Sequence, residues 1–105
     1  MGLNEAWLAT TPEGILEPDL PICDPHHHLW DSGMAASANF RKEQVEPRYL
    51  LDELLADLGS GHNIVSTVFI ECASMYRADG PVEMRPVGET EFVNGVAALS
   101  ASGLY

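Results

Sequence analysis

Residues 21–31 read PICDPHHHLWD, and they hold three of the chain's four histidines. His26, His27 and His28 stand between Asp24 and Asp31, just ahead of Trp30. In an extended segment successive side chains alternate faces, so His26 and His28 share one face with Asp24 while His27 points the other way. Cα atoms two residues apart are separated by ~6.6 Å along a strand. Two imidazoles at that spacing can lean onto one ion at ~2.0–2.1 Å per zinc–nitrogen bond. A carboxylate two positions before the first histidine, Asp24, can orient a ring or neighbour the metal, and Trp30 would wall the site. The competing reading is a solvent-exposed histidine patch. The apolar flanks PIC and LW weigh against it. His27 is expected to be structural, packed against a helix layer. His62 falls at the opposite end of the next strand and reads as a turn or capping residue.

A second group of candidates lies at residues 71–77. Glu71 and Cys72 end an apolar run, and Tyr76 and Arg77 follow in a loop. Glu71 is a candidate catalytic or second carboxylate near the substrate, with a rim salt bridge as its alternative. Tyr76 and Arg77 are candidate contacts to an acidic substrate, because a guanidinium forks onto a carboxylate; a solvated loop with a turn at Gly80–Pro81 is the plain alternative. Cys72 lacks a partner base that would make it a nucleophile.

These residues need elements to hold them. Residues 1–20 are punctuated by Pro and Gly and read as an arm or short edge hairpin. PICDPHHH reads as a strand with its chemistry at the C-terminal end. Residues 31–48 form a long loop, of the kind that is usually functional. LDELLADLGSG reads as a helix: Asp52 can cap it, and Leu51, Leu54, Leu55 and Leu58 make one apolar stripe. Gly59 and Gly61 stop it. NIVSTVFIEC, rich in β-branched residues, reads as a parallel strand buried on both faces. A loop over 73–87 leads to a last helix, GETEFVNGVAALSASG, with Phe92, Val96 and Leu99 as its stripe. Glu89 and Glu91 are expected to be a solvated helix start that complements the dipole. The order strand–helix–strand–helix predicts an α/β fold with a parallel sheet. Both long loops leave the C-terminal ends of strands, the face that carries the active site in a (β/α)₈ barrel.

Composition narrows the function. The 105 residues carry 16 acidic against 5 basic side chains, a formal net charge of −11. Nucleic-acid affinity comes largely from Lys and Arg on phosphates, so nucleic acid is not an expected partner; an anionic membrane surface is disfavoured equally. No apolar run reaches the ~18 residues of a membrane span, and the N-terminus lacks the pattern of a signal peptide. Cys23 and Cys72 lack disulfide-framework spacing and read as buried free thiols in a reducing cytoplasm.

The strings LEPDLPICDPHHHLWD, RYLLDELLADLGSGHNIVSTVFIECASMYRADGPVEM and RPVGETEFVNGVAA, in this order, resemble the opening of metal-dependent hydrolases in the amidohydrolase superfamily, in its amidohydrolase-related (amidohydrolase 2) branch. The resemblance spans roughly residues 15–103. It implies a partial TIM barrel, with residues 1–20 as an arm and 21–105 as the first two β/α units. It implies a divalent metal, commonly zinc, on His26 and His28, and metal-activated water attacking a lactone, amide or related bond of a small-molecule substrate. The family's remaining ligands lie on later strands and match nothing here, so the resemblance implies an N-terminal fragment, inactive alone and holding metal weakly. A two-stranded sheet with a bare face should self-associate into a homo-oligomer or fold poorly. Two alternatives stay open: a decarboxylase or other lyase of the same superfamily, or a non-catalytic α/β module that binds metal or a partner.

Overall fold

The fold follows from two short β-rich runs that find each other across a helix. The computed structural model describes residues 4–31 and 48–105. Its elements are α1 (Glu5–Leu8), β1 (Pro21–His27), α2 (Leu51–Leu58), β2 (Asn63–Phe69), a 3₁₀ turn (Val82–Met84) and α3 (Val87–Ala101). The two strands pair in parallel as a two-stranded sheet. This is a small α/β arrangement, as the strand–helix–strand–helix order requires.

Parallel pairing puts the C-terminal ends of β1 and β2 side by side, so the chain segments leaving both strands emerge together. The register runs from Pro21 opposite Asn63 to His27 opposite Phe69, with one slip at Ile22/Cys23 and another between Asp24 and His27. Pro25 explains the second slip. It has no N–H to give to the ladder, and proline inside a strand is confined to edges and bulges.

The N-terminal residues form an arm, not a hairpin. After the single turn of α1, the arm runs to the start of the sheet. There Asn63 Nδ2 donates to the Asp19 carbonyl at 3.1 Å. Ile15 lies against Gly61, whose φ of +122° and lack of a Cβ make room for its δ-methyl.

α2 begins at Leu51, but Asp52 is not its cap. Leu50 is the N-cap residue, and Glu53 reaches back to accept the Leu50 N–H at 2.8 Å. That bond is the leading reason the Glu53 carboxyl is held below its ordinary value. A carboxylate at the third helical position has the reach for the N-cap amide, and one at the second does not. Arg48 adds exposed ion pairs to Asp52 and Glu53.

The apolar core among the described residues is small: Leu29, Leu51 and Leu54 are buried. The expectation that β2 is buried on both faces fails. Val65 is 63% exposed and Val68 is 45% exposed, because no described element covers that side of the sheet. Cys23, expected to be buried, is exposed for the same reason. Along α3, Phe92 and Val96 are half-buried while Leu99 is exposed. The radius of gyration is 16.0 Å, against about 13 Å for a compact domain of 100 residues. No helix is long and apolar enough to cross a membrane among the described residues.

Candidate metal centre

The end of β1 is where extended backbone, bulge and neighbouring strand converge. The Nε2 atoms of His26 and His28 lie 3.0 Å apart, with ring centroids 4.8 Å apart and planes at 83°. The two rings meet, as their spacing suggests, but strict alternation does not bring them there. The slip at Pro25 and His26 breaks the period, and His28 stands one residue beyond the strand.

The protons on this pair follow from its partners. His28 Nδ1 is 2.7 Å from the Ile70 carbonyl oxygen. A carbonyl only accepts, so Nδ1 of His28 carries the hydrogen and its Nε2 presents a lone pair. In the resting arrangement His26 Nε2–H donates to that lone pair. A backbone carbonyl holding the far nitrogen is the usual support of a metal-binding histidine, fixing tautomer and ring angle. The pair therefore suits an ion: zinc–nitrogen bonds of ~2.0–2.1 Å reach a common point from nitrogens 3.0 Å apart once His26 moves its proton to Nδ1. Among the described residues no third His, Cys, Asp or Glu joins them as a ligand group.

Asp24 is close but occupied. Its Oδ1 accepts the backbone N–H of His26 at 3.1 Å, so it shapes the bulge that carries His26. His27 lines, with the pair, a cleft that reaches to α2, and its direct partners are on the adjacent strand. Its Nε2 is 3.0 Å from Thr67 Oγ1 and its ring meets Phe69 edge-on at 5.7 Å. Burial is the main cause that lowers its pKa. His62 is exposed, just ahead of β2.

The open cleft of about 450 Å³ runs from the histidines toward α2, lined among others by Asp24, Trp30, Tyr49, Asp57 and Ile64. Trp30 and Tyr49 stack at 5.0 Å and 19°, and exchange backbone hydrogen bonds of 2.8 and 2.9 Å. This bridge closes the base of the loop expected over 31–48; residues 32–47 of that loop lie outside the described residues. The Tyr49 hydroxyl donates to Asp57. Burial, then that bond, pushes the Tyr49 phenol well up.

Glu71, Tyr76 and Arg77 do not line this cleft. The Tyr76 hydroxyl donates to Glu71, and this bond, first among its causes, raises the phenol to about 12. Arg77 pairs with Glu91 of α3 and is turned onto that helix.

Sequence reasoning missed two residues. Tyr49 flanks a helix start and offered no motif. Glu89, expected to be solvated, is 4% exposed. Its Oε2 accepts the N–H of Cys72 at 3.2 Å and of Ser74 at 2.6 Å. The available signal was Gly88: a Cβ there would meet the Met75 carbonyl at 2.4 Å and the Arg77 nitrogen at 2.8 Å, so loop and helix touch at this point. Cys72 sits in the same knot, its thiol 3.5 Å from the Leu29 carbonyl. Burial, and next the Glu89 charge, pushes that thiol up, which disfavours the thiolate a nucleophile needs.

A comparison with curated proteins finds one match in sequence. An uncharacterized protein of Sinorhizobium fredii, y4mH, is 32% identical over an alignment of 89 positions that covers 75% of this chain and 27% of the relative. The chain thus spans about a quarter of the length of the curated relative it matches. No family model matches the chain, and no solved structure matches it.

Proposed function

We propose that this chain is the N-terminal part of a metal-dependent hydrolase with a (β/α)₈ barrel, of the amidohydrolase-related kind, acting in the cytoplasm on a small-molecule lactone, amide or related bond. The observation that carries the reading is the paired Nε2 atoms of His26 and His28, 3.0 Å apart at the C-terminal end of a parallel strand, with the far nitrogen of His28 held by a backbone carbonyl. The open sheet face and the extended shape fit a segment that completes its core with further strands.

A bound divalent ion supplies Lewis acidity toward a carbonyl and a water of lowered pKa. The chain's own residues do the rest. His28 offers its Nε2 lone pair because Ile70 holds its Nδ1 proton. His26 must carry its proton on Nδ1 to offer the same. Asp24 fixes the backbone that sets His26. The stacked Trp30 and Tyr49 bound the cleft in which a substrate would lie. The Tyr76 hydroxyl donates to Glu71 at the exit of β2.

Zinc and cobalt(II) titration of the chain, purified without a polyhistidine tag, tests the reading. The expected result is saturable binding of one ion per chain, lost in H26A and in H28A. Wild-type protein that takes up no metal, or a double variant that binds as wild type does, refutes it.

A further inference from the structure

The exit of β2 is stitched to the histidine segment at three points. Ile70 N–H donates to the His27 carbonyl at 2.8 Å. The Ile70 carbonyl holds His28 Nδ1 at 2.7 Å. The Cys72 thiol reaches the Leu29 carbonyl at 3.5 Å. The same exit is fixed from the other side by Glu89 alone among acidic side chains of α3, through the N–H groups of Cys72 and Ser74. Between and beyond those two amides the backbone takes left-handed turns at Ala73 (φ 62°) and Met75 (φ 56°). Gly88 lets α3 approach the Met75 carbonyl and Arg77 nitrogen closely enough for the carboxylate to reach.

We infer that Glu89 is a positioning residue for the histidine pair. Its carboxylate fixes the β2 exit so that the Ile70 carbonyl keeps the His28 ring in the Nδ1–H tautomer with Nε2 facing His26. One buried oxygen, Oε2, accepts both amides, so the length of the side chain, more than its charge, sets where the two N–H groups are held. Glu89 touches neither histidine. It acts through Cys72 and Ile70, so its loss leaves both donor nitrogens in the chain and changes only how they are held. The inference rests on the metal-site reading for its affinity readout but not for its tautomer readout.

Two-bond nitrogen–proton NMR of the imidazoles above pH 8 reads the tautomer directly. In wild type His28 should be Nδ1–H. In E89A it should shift toward the mixture of a free imidazole, and the zinc dissociation constant should rise about tenfold, the low end for losing an outer-shell partner of a metal ligand. E89Q keeps the shape and an acceptor oxygen and should stay near wild type. E89D keeps the charge but draws the oxygen back by one methylene, and should follow E89A. If E89A does not fold, the order of E89Q and E89D decides. An unchanged His28 tautomer in folded E89A, or E89D matching wild type while E89Q does not, overturns the inference. Wild-type protein that binds no zinc but shows the tautomer shift in E89A keeps Glu89 as the positioning residue and removes the metal reading instead.

Discussion

The same substitution at two glycines of α3 should act with opposite sign. Gly95 lies in the middle of α3 with nothing within 4 Å of where a Cβ would stand. Alanine there gains helix propensity and should stabilise by ~0.5–1 kcal/mol. Gly88 lies in the first turn, and its Cβ would meet the Met75 carbonyl at 2.4 Å and the Arg77 nitrogen at 2.8 Å. Both are backbone atoms, tied down by the Glu89 bond to Ser74 and by the 3.0 Å bond from Arg77 N–H to the Arg85 carbonyl. They cannot swing aside as a side chain can. Overpacking of this kind costs about 1–3 kcal/mol, and the propensity gain offsets only part of it. The net expectation for G88A is a loss of about 1–2 kcal/mol, so the two variants should differ by roughly 2–3 kcal/mol. Urea unfolding followed by far-UV circular dichroism measures both. Amide exchange at Ser74 gives a local check, since G88A should expose that N–H and G95A should not. Equal midpoints, or G88A above G95A, would show that loop and helix do not meet as described.

Three further outcomes follow from the pKa shifts. Burial lowers the His27 pKa from 6.5, with Asp24 opposing and His28 assisting; the stabilisation is complete above pH 6.5 and is lost as pH falls through the lower folded-state value. H27F should flatten that acid limb when unfolding midpoints are measured across pH, and an unchanged limb contradicts the assignment. Cys23 is exposed, whereas the Cys72 thiol is half-buried with a raised pKa, so iodoacetamide at pH 8 should label Cys23 first, with E89A speeding Cys72; mass spectrometry of timed samples reads both rates. The Tyr76 phenol, held near 12 by Glu71, should return toward 10.0 in E71Q, as an ultraviolet titration of the tyrosines would record.

What the sequence made legible was periodic or clustered. The leucines of α2 and the β-branched run of β2 announced their elements, and strand–helix–strand order announced parallel pairing. The histidine triplet announced itself through spacing. The illegible parts depended on residues distant in the chain. Alternation alone could not place a bulge, although Pro25 explains it once the register is known. His27 also found Thr67 and Phe69, some forty residues away on the neighbouring strand. Glu89 looked like any acidic residue at a helix start, because dipole compensation and capture of a remote loop use the same residue type at the same place. Val65 and Val68 looked buried because a hydrophobic run reports a preference for cover, which the described elements supply on one side of the sheet only.

Ala73 and Met75 have a consequence for how the β2 exit moves. An L-residue with a side chain resists left-handed backbone by about 1–2 kcal/mol, and here two of them flank Ser74. Left to itself, the stretch 73–75 would spring toward ordinary extended or right-handed turns. The exit should therefore behave as a latch and not as a hinge: shut while Glu89 grips both amides, and released in one step, carrying Ile70 with it, when the grip fails.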